Sequence, residues 1–198
     1  MQALCGYLFL TKEEKDEVLE REPEISRFLK QIYGATEYIN NTKRYCLWLV
    51  DASPAEIRKS KFILKRIENV RKFRLDSTKA QTRESAETPT LFQEIRQPNS
   101  NYIIIPRHSS ENRNYIPFSF VSSEIIINDA VQILPSATLY HFGILTSSVH
   151  MAWMRTVCGR LKSDYRYSAN IVYNNFPWPE VEEFSRVEGE SEENVLDR

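Results

Sequence analysis

The chain has 198 residues, of which 41% are hydrophobic, and this is enough to bury the core of a globular domain. No stretch approaches the roughly 20 apolar residues that span a bilayer, and the start lacks the charged and apolar runs of a signal peptide, so we expect a cytoplasmic protein without a membrane partner. The net charge is −1, but residues 180–198 hold eight acidic and two basic residues. The remainder holds 24 basic and 19 acidic residues, a net of +5, so a polyanionic partner is not excluded.

Two short helices are expected near the start of the chain. Thr11, with Glu14 three residues later, is a capping-box pattern for the first of them. Pro23 in a first-turn position, with Gly34 as a stop signal, predicts the second.

A strand and a long basic helix are expected next. Residues 44–50 are rich in aromatic and branched side chains, which predicts a buried strand. A second capping pattern and apolar residues at helical spacing then predict a helix over 54–75. Residues 58–83 hold ten Lys or Arg against two acidic residues. This charge fits either a solvated amphipathic face or a surface that follows nucleic-acid phosphates.

The remaining elements complete an α+β pattern. Short apolar runs predict strands at 102–106, 115–118, 125–127 and 131–134. Apolar residues at three-to-four spacing predict a buried helix over 138–158. We therefore expect a mixed β-sheet, built from the strands near 44–50 and 102–134, flanked by the two longer helices and preceded by the short N-terminal ones.

The residue types that usually carry catalysis or bind metals are not arranged for it. Cys5, Cys46 and Cys158 are odd in number and far apart, so no disulfide framework is expected, and the three histidines are not at zinc-site spacing with them. The five glycines are isolated, which argues against a phosphate, dinucleotide or adenosylmethionine loop, and no serine resembles a nucleophile elbow. We expect a chain without metal, cofactor or catalysis of its own.

Two polar segments suit contact with nucleic acid. Residues 106–115 place Arg, His, Ser, Glu and Asn between apolar runs, and these are the side chains that read base edges in the major groove. A plain polar hairpin loop is the alternative. Residues 159–168 combine basic, hydroxyl and aromatic side chains just past a helix end, which suits phosphate contacts, unless the tyrosines only cover the helix.

Several stretches of the chain together resemble the MmeI-like restriction-modification enzymes, which are large bacterial proteins that join a nuclease, an N6-adenine DNA methyltransferase and a target recognition domain. The matching stretches occur in one order along the chain: RYCLWLVD at 44–51, EIRQP at 94–98, IPR at 105–107, SSE at 109–111, ATLYHFG at 137–143, CGRLKSDYRYS at 158–168 and YNNFPWP at 173–179. The resemblance covers nearly all of the chain up to Pro179.

The resemblance implies a DNA target recognition domain over residues 44–179, with an N-terminal helical segment at 1–43 and an acidic tail at 180–198. It implies double-stranded DNA as the partner, together with the methyltransferase and nuclease domains of a parent protein. In that family S-adenosylmethionine and the flipped adenine are held by a Gly-rich loop and an Asn-Pro-Pro-Tyr motif. Neither is present in this chain, and no nuclease motif is recognisable, so the implied cofactor belongs to a domain outside it.

The candidate contacts with DNA fall into two groups. We expect base readout by Arg107, Ser109, Ser110, Glu111 and Arg113. We expect backbone contacts from Arg58, Lys65, Lys79, Arg83, Arg160, Lys162, Ser163, Tyr165 and Arg166. Two alternatives stay open: a structural module that docks on the methyltransferase domain through residues 173–179, and a complete methyltransferase, against which the missing Gly-rich loop argues.

Overall fold

The fold is described by a computed structural model for residues 6–179, and the acidic tail and Cys5 lie outside these residues. The elements of the first half are β1 (Phe9–Leu10), α1 (Lys12–Arg21), β2 (Leu29–Tyr33), α2 (Ala35–Ile39), β3 (Tyr45–Leu47), α3 (Pro54–Lys59), α4 (Lys61–Leu75) and α5 (Ala80–Glu84). Those of the second half are β4 (Tyr102–Pro106), β5 (His108–Ser109), β6 (Ser119–Val121), β7 (Ile126–Ile127), β8 (Val131–Pro135), α6 (Leu139–Leu145), α7 (Ser148–Val157), β9 (Gly159–Leu161) and β10 (Asp164–Arg166). None of the helices within 6–179 is long and apolar enough to cross a membrane.

The N-terminal half is organised by a four-stranded mixed sheet in the order β1-β3-β2-β7. Strand β2 is antiparallel to β3 and parallel to β7, with Ile32 opposite Ile126. Helix α4 contributes Ile63 and Val70 to the core beside this sheet, which we call the first core. The α+β class with a mixed sheet is thereby confirmed.

The C-terminal half is built around strand β4, which is buried along its whole length between β6 and β8. Its side chains alternate between two clusters, as the period of a strand requires. Ile103 and Ile105 pack with α7 and with Tyr165 in what we call the second core, whereas Tyr102 and Ile104 face a smaller cluster beside β2 and α2. Strand β4 therefore joins the two halves.

The expected single sheet divides into three. Of the strands predicted between 102 and 134, only the short β7 joins the sheet that contains β3, while β4 and β8 pair with each other. Strand β5 lies in the expected polar segment and forms a separate sheet with β10 and β9. The expected helix between Pro23 and Gly34 is also wrong: a 3₁₀ helix ends at Phe28 and strand β2 follows. Its pairing with β3 is a long-range contact that the local start and stop signals do not encode.

Both long helices are interrupted by serine caps. The helix expected over 54–75 is two helices, because Ser60 accepts a hydrogen bond from the backbone of Ile63 at 3.0 Å and donates one to the Glu22 carboxylate. The helix expected over 138–158 likewise divides before Ser147, which caps α7 through the backbone of His150 at 3.1 Å. Each serine satisfies an amide at the start of a new helix and turns the chain there.

Candidate nucleic-acid interface

The two polar segments singled out in the sequence are adjacent strands of one small sheet. Strand β5 pairs with β10, so that Ser109 lies opposite Tyr165 and His108 opposite Arg166, and β10 pairs in turn with β9. The backbone of Tyr167 also donates to the carbonyl of Arg107 at 2.9 Å. Residues separated by more than fifty positions along the chain therefore form one continuous surface.

The loop that follows β5 is exposed from residue 111 to residue 115 and is held at both ends. At its start, the backbone amide of Glu111 donates to Oδ1 of Asp164 at 3.2 Å. At its end, Nη2 of Arg155 donates to the carbonyl of Asn114. We call residues 110–115 the reading loop, after the base readout expected of Glu111 and Arg113, which this loop presents to solvent on a fixed base.

The hairpin formed by β9 and β10 carries exposed cations. Arg160, Lys162 and Arg166 are all exposed, as is Ser163. Lys162 has a φ of 57°, in the left-handed region, at the two-residue turn. The guanidinium of Arg160 lies 4.2 Å from the centroid of the Tyr165 ring and donates to the carbonyl of Ser163 at 2.9 Å, so this cation is held in place.

Three of the residues predicted to contact DNA do not lie on the exposed surface of the reading loop or the hairpin. Ser109 and Tyr165 are only 4% and 7% exposed, and the Tyr165 ring packs in the second core, so neither offers a free side chain to a ligand. Arg107 is turned away from the reading loop: its Nε donates to the carbonyl of Asp129 at 2.8 Å, and it lines a groove of about 270 Å³ with Glu94 and Arg96. Burial and side-chain direction are not encoded in the local pattern that suggested these residues.

The basic residues of 58–83 lie on or beside helices α3, α4 and α5, of which α3 and α4 contribute to the first core. Arg58 and Lys65 are exposed on α3 and α4, and Lys79 and Arg83 are exposed at α5. Arg83 also donates to the carbonyls of Ser77 and Thr78, both at 2.9 Å.

Not all of the positive charge in the basic helix region is available to a partner. Arg74 is fully buried and donates to the carbonyls of Ser85, Thr88 and Leu91. Arg66 donates to the carbonyls of Tyr7 and Phe9 and pairs with Glu14. The count of ten Lys or Arg in residues 58–83 therefore overstates the positive charge that this surface offers to a partner.

Two residues that shape the surface carry no local signal in the sequence. Asp164 lies in a polar stretch, and Arg155 falls within the pattern of a buried helix. Their roles depend on contacts with the reading loop, about fifty and forty residues away along the chain, and no local signal indicates them.

Within 6–179 no group of three His, Cys, Asp or Glu residues is placed to hold a metal ion. Burial raises the pKa of the Cys46 thiol well above its usual range, which makes it unreactive. Gly34 packs tightly: a Cβ there would lie 2.4 Å from the Asn128 side chain and 2.5 Å from that of Glu37, so no ligand fits against it.

The family model described as the target recognition domain of MmeI matches residues 1–180. The chain belongs to this family. The match includes residues 1–43, the expected N-terminal segment.

Two relatives of this target recognition domain are informative. It is 38% identical over 192 residues to DNA methyltransferase A of Bacillus subtilis (strain 168), covering 97% of this chain and 22% of the relative. It superimposes with a TM-score of 0.87 and 45% identity on the type IIL restriction-modification enzyme MmeI, solved in complex with DNA, covering 91% of this chain and 24% of that one. The chain thus spans about a quarter of the length of these relatives.

The segment at 173–179, which the alternative hypothesis assigns to docking, folds back on the target recognition domain itself. The rings of Tyr173 and Trp178 lie 4.9 Å apart, and those of Phe176 and Trp178 lie 5.4 Å apart. Trp178 donates through Nε1 to the carbonyl of Tyr173 at 3.2 Å, and Phe176 is buried in contact with His150. Much of the aromatic surface is therefore used inside the domain.

Proposed function

We propose that this chain selects a DNA sequence on behalf of a larger adenine methyltransferase. The observation that carries the proposal is the joining of the reading loop and the cationic hairpin into one surface through the pairing of β5 with β10. Membership of the MmeI target recognition family and the similarity to an enzyme solved with DNA support it.

The two parts of this surface suit different contacts. Glu111 and Arg113 are exposed on the reading loop and have the chemistry to read base edges: a carboxylate accepts from the cytosine amino group, and a guanidinium donates to guanine. Ser110 is half-buried beside them. Lys162, Ser163 and Arg166 on the hairpin provide donors to phosphate oxygens, which position a protein on a duplex without reading its sequence.

The exposed cations of helices α3, α4 and α5 form a second set of phosphate contacts in this proposal. Arg58 and Lys65 project from helices that contribute to the first core, whereas Lys79 and Arg83 lie at α5, where Lys79 lines a groove with Asp129. Each phosphate that a cation neutralises releases counterion, so this set adds salt-dependent affinity without selectivity.

The parent protein supplies the chemistry. We propose that its methyltransferase domain holds S-adenosylmethionine and the target adenine, and that a nuclease domain acts on the same bound duplex. The tight packing around Gly34 and the isolated positions of the other glycines support a chain without its own cofactor loop.

The proposal is tested by fluorescence anisotropy of the purified chain with random-sequence duplex at two salt concentrations, followed by selection from a randomised duplex library. We expect binding that weakens with salt and enrichment of one short sequence. Salt-insensitive, unselective binding would instead favour the docking module. Heat on titration with S-adenosylmethionine would overturn the assignment of the cofactor to another domain.

A further inference from the structure

The reading loop is tied to two elements that lie outside it. The Asp164 carboxylate accepts from the backbone amide of Glu111, and the Arg155 guanidinium donates to the carbonyl of Asn114. Asp164 is the first residue of β10, and Arg155 lies in the last turn of α7. The two ends of the loop are therefore fastened to different parts of the second half of the domain.

The negative charge of Asp164 is opposite to that of its neighbours on a surface that we propose faces phosphates. It lies on the same hairpin as the exposed Arg160, Lys162 and Arg166, where a carboxylate repels DNA. On charge alone its presence weakens binding. Its hydrogen bond to the reading loop gives the residue a role that its charge does not.

We infer that Asp164 and Arg155 are positioning residues that set base discrimination by fixing the reading loop. This inference rests on the proposed function of the loop. A side chain that reads a base edge must be held within about 0.5 Å and 10–20° of its productive geometry. When one end of the loop is released, Glu111 and Arg113 explore more orientations. The affinities for duplexes with the right and the wrong base then become more similar. Phosphate contacts from the hairpin are unaffected.

The test compares Asp164→Ala with Asp164→Asn in the full chain, using the duplex enriched by selection and a scrambled duplex of equal length. The asparagine variant keeps an oxygen acceptor at Oδ1 but loses the charge, whereas the alanine variant loses both. We expect D164A to reduce the affinity ratio between the two duplexes about tenfold, which is the scale of losing one bidentate base contact. It should bind the scrambled duplex at least as tightly as the unmodified chain, since a repulsive charge is gone. D164N should keep the ratio within about twofold.

A matched control and a second pair of variants separate positioning from folding. Asp51→Ala removes an exposed carboxylate from the first half of the domain and should leave the ratio unchanged. Arg155→Met should lower the ratio, and Arg155→Lys, which retains a cationic donor, should restore much of it. Urea unfolding of each variant checks that the domain is intact, and the pair at Arg155 tests the loop independently if D164A is unstable.

The possible results are distinct. If D164A folds and keeps the full ratio, the positioning role is overturned while the proposed function stands. If D164N loses as much as D164A, the charge acts rather than the geometry, and the inference is again overturned. If the unmodified chain prefers no duplex at all, the proposed function fails and the inference fails with it.

Discussion

Nε2 of His150 lies 3.0 Å from the hydroxyl oxygen of Tyr167, and both side chains are buried in the second half of the domain. Burial lowers the pKa of His150 to about 4. The unfolded chain, with a histidine pKa near 6.5, takes up a proton that the folded chain excludes. Stability is therefore fully present above about pH 6.5 and is lost as the pH falls from there toward 4. We expect a loss of roughly 2 kcal/mol between pH 7.5 and 4.5, measured from urea unfolding.

The His150→Gln variant isolates this effect from carboxylates that titrate in the same range. Its amide can still meet the Tyr167 hydroxyl but carries no proton equilibrium. The unmodified chain should lose more stability than H150Q between the two pH values. An identical pH dependence in both proteins would show that His150 does not titrate as its burial requires.

The buried arginine of α4 gives a prediction about stability. Arg74 donates to three backbone carbonyls, at 2.8, 2.9 and 2.6 Å, and thereby shapes the segment that follows α5. Replacing it with leucine leaves these carbonyls without their donor, and hydrogen bonds to charged groups contribute about 1.5–3 kcal/mol each. We expect Arg74→Leu to lower the free energy of unfolding by at least about 3 kcal/mol. The matched change Arg71→Leu, at an exposed position of the same helix, should stay within about 0.5 kcal/mol.

Local signals in the sequence predicted where helices begin and end better than they predicted which segments pair or contact each other. The capping box of Thr11 and Glu14 is present as expected, because both of its hydrogen bonds are local. Strand β2 was missed, since residues 29–33 become a strand only through pairing with β3 and β7. Ser60 was overlooked inside a helical pattern because its contact with Glu22 spans 38 residues.

Substitutions in the reading loop should change which base is accepted. In the full chain, Glu111→Gln exchanges an acceptor for a group that also donates, and Arg113→Gln removes the guanidinium fork. We expect each variant to lose about 1–3 kcal/mol on the original duplex and to enrich a sequence that differs at one position. Glu84→Gln, at an exposed position of α5, should enrich the original sequence. An unaltered sequence for both loop variants would remove Glu111 and Arg113 from base readout.

The residue types of the candidate site were predicted from the sequence, but their arrangement in space was not. The segments 106–115 and 159–168 were each identified from residue types, and the structure places them side by side through β5 and β10. Arg107 and Tyr165 look equivalent to their neighbours in a sequence, yet one lines a separate groove and the other packs in the core. Side-chain direction within a strand depends on which face is buried, and that is fixed only when the sheet forms.

At Lys162, in the hairpin turn, the effect of the charge on DNA binding can be separated from the effect of the backbone conformation on stability. Lys162 has a φ of 57°, where a side chain with a Cβ is strained by about 1 kcal/mol and glycine is not. We expect Lys162→Gly to leave stability unchanged or slightly higher while it weakens binding to all duplexes and reduces the salt slope by about one unit. Arg166→Ala, at a paired strand position, should reduce the slope similarly without the gain in stability. Anisotropy over a range of salt with selected and scrambled duplexes measures both, and a loss confined to the selected duplex would contradict a phosphate contact at Lys162.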